Sequence, residues 1–216
     1  MAVTFAAVDV HELATGLWRW TGFHSEWKEV VGSIYYEAGD SIVLIDPLVP
    51  PEATEKFWHA LDRDVERMGK PVHVFITVFW HTRNTKQVAA RYGARIWAPS
   101  RGRPAIERRA GSVTDVFRPG EPLPGGVVAF ATARAAEVVY WIPEHEAVVP
   151  GDVILGAEGG GLRLCPRSWL PQRVDLAMLG ESLQPLTDLP AERVLVSHGE
   201  PVLEQGRAAL KRMLEG

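Results

Sequence analysis

The sequence predicts a four-layer α/β architecture, an αββα sandwich with two packed sheets inside and helices on both outer faces. Two observations carry that expectation. Strand-like and helix-like segments alternate along all 216 residues without a low-complexity linker. The order also comes twice, a run of strands followed by strand–helix units in each half. Length fits one domain spanning residues 1–216, with enough chain to bury a sizeable core.

In the first half, Thr4 to Val10, Gly16 to Gly22, Gly32 to Glu37 and Ser41 to Ile45 read as strands, and Gly39-Asp40 as the tight turn between the last two. Pro50-Pro51-Glu52 opens a helix, with proline in the first turn and an acid near the positive helix end. Phe57, Leu61, Val65 and Met68 recur at helical spacing, and Gly69 ends the helix. Val72 to Val78 is an apolar strand, Thr85 to Tyr92 a helix closed by Gly93, and Arg95 to Ala98 a strand.

In the second half, Val113 to Phe117, Val127 to Thr132, Val138 to Ile142 and Ala147 to Val149 read as strands, with Pro143 to Glu146 as a turn. Asp175 to Leu183 is helical, Arg193 to Val196 a strand and Glu204 to Leu214 the last helix. Gly159-Gly160-Gly161 reads as a mobile loop; without a following Gly-Lys-Ser or Gly-Lys-Thr it is not a P-loop. Arg101-Gly102-Arg103 reads as a solvated basic loop.

Composition excludes several function classes. A net charge of -4, from 23 basic and 27 acidic residues, gives no field that would draw the chain to nucleic acid or anionic lipid. One cysteine, Cys165, excludes an intrachain disulfide framework, suits a reducing cytosol and reads as an inert small hydrophobe. The first residues lack the basic flank of a signal peptide, and no apolar run reaches the length of a membrane span. A cytoplasmic protein is the expectation.

An ordered series of landmarks then resembles a known family. Ser41-Ile42-Val43-Leu44-Ile45-Asp46, Val74-Phe75-Ile76-Thr77, Tyr92-Gly93-Ala94-Arg95-Ile96-Trp97-Ala98, Tyr140-Trp141-Ile142-Pro143 with Gly151-Asp152-Val153, and Val194-Leu195-Val196-Ser197-His198-Gly199 follow one another over about Trp18 to Leu203. Together they resemble the metallo-β-lactamase fold superfamily, which includes lactamases, glyoxalase II and other hydrolases. The resemblance implies the αββα sandwich and a zinc-hydrolase ancestry.

The same resemblance exposes a departure. The family's Thr-His-x-His-x-Asp-His motif, placed on Thr77, puts Val78 and Trp80 at the two histidines, Thr82 at the aspartate and Arg83 at the last histidine. A further family histidine falls near Ala131-Thr132-Ala133-Arg134-Ala135, where there is none. Asp152 and His198 alone stand at ligand positions, and zinc needs three or four donors held together. No cofactor is therefore expected, zinc being retained only if a reduced site survives. Arg83 is expected to replace the metal's charge by pairing with Asp152, with His198 close by. Asp152 reads alternatively as a turn residue, His198 as a backbone partner, and His81 falls on a motif position that is not a ligand. Asp46 reads as loop support. Trp18, Trp20 and Trp27 read as core or pocket walls, and His11, His24, His59, His73 and His145 as surface or packing residues.

The candidate cleft is thus Trp80, His81, Thr82, Arg83, Asp152 and His198. Three function classes follow. The favoured one is a metal-free relative that binds a small organic anion, another small ligand or a partner in the former active site. The second is a metallo-hydrolase with one metal on Asp152, His198 and a repositioned His81. The third is a scaffold or oligomer subunit.

Overall fold

The computed structural model describes residues 9–216. Eight strands and three helices come first: β1 (Val10–Ala14), β2 (Leu17–His24), β3 (Glu29–Glu37), β4 (Ile42–Ile45), α1 (Thr54–Met68), β5 (Val72–Phe75), α2 (Thr85–Tyr92), β6 (Arg95–Pro99), α3 (Arg103–Ala110), β7 (Asp115–Phe117) and β8 (Val128–Ala131). They are followed by β9 (Val138–Ile142), β10 (Ala147–Val149), β11 (Ile154–Gly156), β12 (Leu162–Leu164), α4 (Leu176–Leu183), β13 (Arg193–Val194) and α5 (Gly206–Glu215).

The first sheet has seven strands in the order β1-β2-β3-β4-β5-β6-β7. Its first four strands form an antiparallel meander, and β4 to β7 run parallel. The second sheet runs β13-β10-β9-β8, and β11 and β12 form a two-stranded ribbon. The parallel strands of the first sheet need crossovers, which α1, α2 and α3 supply.

Three apolar clusters define the layers. Tyr36, Ile45, Phe75, Phe117, Tyr140 and Ile142 meet between the two sheets. Leu44, Val74 and Ile96 face outward onto Leu61 of α1, Val88 of α2 and Ile106 of α3. Trp141, Val148 and Val194 face the other way, onto Leu179 of α4 and Leu210 of α5. This alternation of neighbouring strand residues between two apolar environments is the period of two that a doubly covered strand requires. The four-layer αββα sandwich expected from the sequence is the observed architecture. Truncating a central ring such as Phe75, fully buried, to alanine would cost about 3–5 kcal/mol.

Local signals account for the element ends. Gly69 and Gly93 close α1 and α2 in the left-handed conformation, at φ 60° and 62°. Asp175 caps α4 by accepting from the Met178 amide at 2.8 Å. Several details differ from the sequence reading. The strand expected over Thr4 to Val10 lies outside the described residues except at its end, where β1 begins. Helix α3 was not foreseen: the basic loop is solvated at Arg101, but Arg103 already opens a helix with Pro104 in its first turn. The ribbon β11–β12 was also missed, and the three glycines form its turn, all at positive φ. The strand expected over Val72 to Val78 stops at Phe75, because the chain leaves the first sheet there and bonds to the second. Thr77 O accepts from the Val138 amide at 3.0 Å, and Ile76 O accepts from the Tyr140 hydroxyl at 2.9 Å. No helix among the described residues is long and apolar enough to cross a membrane.

Candidate functional site: three donor atoms at the sheet ends

The site lies where β4, β5 and the loops after β10 and β13 end together. Asp46 follows β4 with φ 49°, and its carboxylate turns back over the Ile76–Val78 loop. It accepts from the Thr77 amide at 2.9 Å and from the Thr77 hydroxyl at 2.5 Å. The loop then makes a 3-10 turn, Phe79–Thr82, which points the ring of His81 inward. That ring is fully buried, and its Nδ1 lies 2.8 Å from the Asp46 carboxylate. An ionised carboxylate can only accept, so Nδ1 carries a proton and Nε2 is turned to the opposite side.

His81 Nε2 faces Asp152, whose Oδ1 is 3.1 Å away. His198 comes from the loop after β13, and its Nε2 is 3.3 Å from the same oxygen. Its Nδ1 is 3.0 Å from Glu29 of β3, so the second ring is oriented by a carboxylate in the same way as the first. The other oxygen of Asp152 is occupied, accepting from the Trp80 indole N–H at 2.6 Å. His81 Nε2 and Asp152 Oδ1 are both buried and neither makes a hydrogen bond, despite their proximity. Buried polar atoms without partners are uncommon and costly. His81, Asp152 and His198 each offer one donor atom, and these atoms lie within 4.8 Å of one another. Two imidazoles and a carboxylate, two of the three donors orphaned, are a donor set that fits a divalent cation such as zinc.

Charge at the site is balanced by neighbours. Burial works against ionisation of Asp152, but the imidazoles of His81 and His198 outweigh it and hold the carboxyl well below the usual carboxylate range. Burial likewise opposes a charge on His81. The carboxylates of Asp152 and Asp46 overcome both that burial and the nearby Arg83, pushing the imidazole up to about 9.

The expectation for Arg83 is corrected. Its guanidinium does not pair with Asp152. Nη1 donates to the carbonyls of Gly32 at 2.7 Å and Asp46 at 2.8 Å, and Nη2 donates to the Ser197 hydroxyl at 2.6 Å. Arg83 has φ 34°, unfavourable for a residue with a Cβ, and this backbone turn carries its side chain away from the cleft toward β3. The residue beside Asp152 is His81. Of the six candidate residues, the structure gathers Trp80, His81, Asp152 and His198; Thr82 is buried in the turn, and Arg83 braces the strand ends behind it.

The donors open onto a cleft of about 360 Å³ lined by Glu26, Trp27, Glu29, Trp80, Arg109, Asp152, Trp169 and His198. Trp27, read from sequence as core or pocket wall, is a wall; Trp20 is core, with its indole N–H on Leu48 O at 2.7 Å. Arg109, Glu29 and Trp169 were not singled out, since each reaches the site from an element far away in sequence. A larger depression of about 960 Å³ lies along β1 and β2 beside Glu192 and Glu200, and shares no donor with this cluster. Cys165 is buried, and burial pushes its thiol up, in keeping with an inert residue.

No protein-family model matches the chain, and no curated protein matches it by sequence. Its similarity is to solved structures. A metallo-β-lactamase from Pontibacter korlensis superposes with a TM-score of 0.70 at 17% identity, over 97% of this chain and 99% of that one. One from Hirschia baltica gives 0.69 at 19% identity, over 97% of each. The FIM-1 metallo-β-lactamase from Pseudomonas aeruginosa, in its mono-zinc form, gives 0.68 at 14% identity, over 98% of this chain and 96% of that one. The αββα sandwich described above is therefore the metallo-β-lactamase fold, nearly end to end.

Proposed function

We propose that the cleft binds one divalent metal ion through His81, Asp152 and His198, and that the protein is a mononuclear hydrolase of a small organic substrate. The carrying observation is the pair of orphaned buried atoms, His81 Nε2 and Asp152 Oδ1, converging with His198 Nε2 while both Nδ1 atoms are held by carboxylates. This was the second of the three classes drawn from the sequence. His81 supplies the third donor that the linear motif lacks.

A divalent cation held there would supply Lewis acidity and lower the pKa of water to about 7. The chain's own residues do the rest. Asp46 and Glu29 fix which imidazole nitrogen faces the cleft. Trp27, Trp80 and Trp169 exclude water and take the apolar part of a substrate, and Arg109 can receive an anionic group. With Val78, Trp80, Thr82 and Arg83 at the other ligand positions, a second ion has no donors of its own on that loop. Lactams carry over from the neighbouring structures only as one substrate class to be assayed.

A second reading is favoured by one observation. His81 as an imidazolium between Asp46 and Asp152 neutralises the site with no metal. The cleft would then bind a small organic anion or another ligand, without hydrolysis. Elemental analysis of protein purified without chelator separates the two. One zinc, cobalt or manganese per chain, lost in His81→Ala, is the expected result. A metal-free protein that also fails to take up added zinc overturns the first reading in favour of the second.

A further inference from the structure

Behind the cleft, opposite His81, lies a second buried ion pair. Arg134 and Glu137 are 5% and 1% exposed. Arg134 Nη1 donates to Glu137 Oε2 at 2.7 Å. The other oxygen, Oε1, accepts from the Asp152 amide at 2.5 Å and from the Val153 amide at 2.9 Å. Glu137 therefore holds the backbone on both sides of the Asp152 carbonyl. Gly151 is required for this approach: a Cβ at that position would stand 2.5 Å from Glu137 Oε1.

Arg134 reaches two further cleft residues. Its Nη2 donates to the Trp169 carbonyl at 2.8 Å, and its guanidinium carbon lies 5.0 Å from the centroid of the Trp80 ring. Trp80 in turn donates its indole N–H to Asp152 Oδ2. The contacts close a circuit, from Arg134 through Trp80 to Asp152, and back through Glu137. A cation over an indole face draws on the ring's electrons and makes its N–H a better donor. A buried ion pair is weak evidence for stability, since apolar residues of similar volume often serve as well. Its three attachments to cleft residues give this one a positional task.

We propose that Arg134 and Glu137 are positioning residues that fix Asp152 with Oδ2 engaged by Trp80 and only Oδ1 offered to a metal ion. The proposal rests on the mononuclear reading above. It makes the arginine and the indole together the reason one carboxylate oxygen, and not two, faces the cleft.

The test uses the double variant Arg134→Met/Glu137→Gln, which removes both charges at once and leaves neither buried alone. Two measurements are made on folded protein. Cobalt(II) affinity and the visible cobalt spectrum report the metal site. The indole N–H resonance of Trp80, assigned by its loss in Trp80→Phe, reports the Trp80–Asp152 bond in metal-free protein. The expected results are a cobalt affinity 10–100-fold weaker, with a changed spectrum, and an indole resonance moved toward that of a free indole. Cobalt affinity within twofold of the parent and an unmoved resonance overturn the proposal. If the parent protein takes up no metal, the mononuclear reading fails by itself, and the resonance alone decides positioning. If the double variant does not fold, Glu137→Gln is read by the same two measurements, since it keeps an oxygen for the two amides and loses the charge that holds Arg134.

Discussion

The two rims of the cleft are built on different terms. The second-sheet rim carries Asp152 and His198 on loops leaving β10 and β13, and both residues stand where the landmark series places them. The first-sheet rim carries its donor on the loop after β5, which a single carboxylate holds in place. Asp46 grips Thr77 by amide and hydroxyl, and Thr77 bonds to Val138. On that fixed track the chain presents Val78, Trp80, Thr82 and Arg83, and the only imidazole it offers is His81. One carboxylate anchors the backbone of the loop, and the side chains along it are apolar, aromatic or turned away from the cleft except at His81.

The largest test of this difference is His81→Ala. It removes the cation or donor between two buried carboxylates, and breaking a buried pair costs about 3–5 kcal/mol. Thermal unfolding should show that loss, and metal uptake should disappear with it. A variant as stable as the parent would mean that the first-sheet rim plays no part in the site. Arg83→Ala comes next, at about 2–3 kcal/mol, the scale of a charge-assisted hydrogen bond lost from a buried acceptor. Because the guanidinium ties Gly32, Asp46 and Ser197 together and does not line the cleft, metal affinity in the folded fraction should stay unchanged. A lost metal with intact stability would restore Arg83 to the site.

Acidity supplies the third test. Burial pushes the Glu137 carboxyl up to about 7, against the pull of Arg134. The unfolded chain releases that proton near 4.5, so between about 4.5 and about 7 the folded state binds more protons than the unfolded one. Stability should fall as pH rises through that window, and Glu137→Gln should flatten the profile there. A parent melting temperature that climbs steadily from 4.5 to 7, unchanged in slope by Glu137→Gln, would contradict it. The smallest effect is expected at Glu29→Gln. Its side chain is 55% exposed, so water can replace the bond to His198, and metal affinity should weaken no more than about tenfold. A total loss would place Glu29 among the donors.

Most of the fold was legible because the landmarks are local: strand ends, a proline-led helix start and glycine caps each leave a mark within a few residues. Helix α3 escaped because five of its eight residues are charged or proline in the sequence Arg-Pro-Ala-Ile-Glu-Arg-Arg-Ala, leaving little periodicity to read. Asp152 and His198 were legible at the site for the same local reason, beside Gly151 and Gly199. His81 was legible there only as a repositioned donor, because its motif position is not a ligand one; its orientation depends on a 3-10 turn and on Asp46, 35 residues earlier. Arg83 misled for the converse reason. Its charge suggested a partner in the cleft, and a positive φ at that residue sends the side chain elsewhere. Glu137 and Arg134 act through backbone amides and a ring face, which no motif records.

The stitches from Ile76 and Thr77 to Tyr140 and Val138 set how the site can open. The start of the loop that carries His81 is bonded across the space between the two sheets, so an outward swing of the whole loop would have to break those bonds first. In deuterated water the amide of Val138 should exchange no faster than the deepest core amides, at the rate set by global unfolding, while the hairpin tip around Trp27 exchanges through small local openings. One wall of the cleft therefore keeps the clock of the whole molecule, and the opposite wall keeps its own.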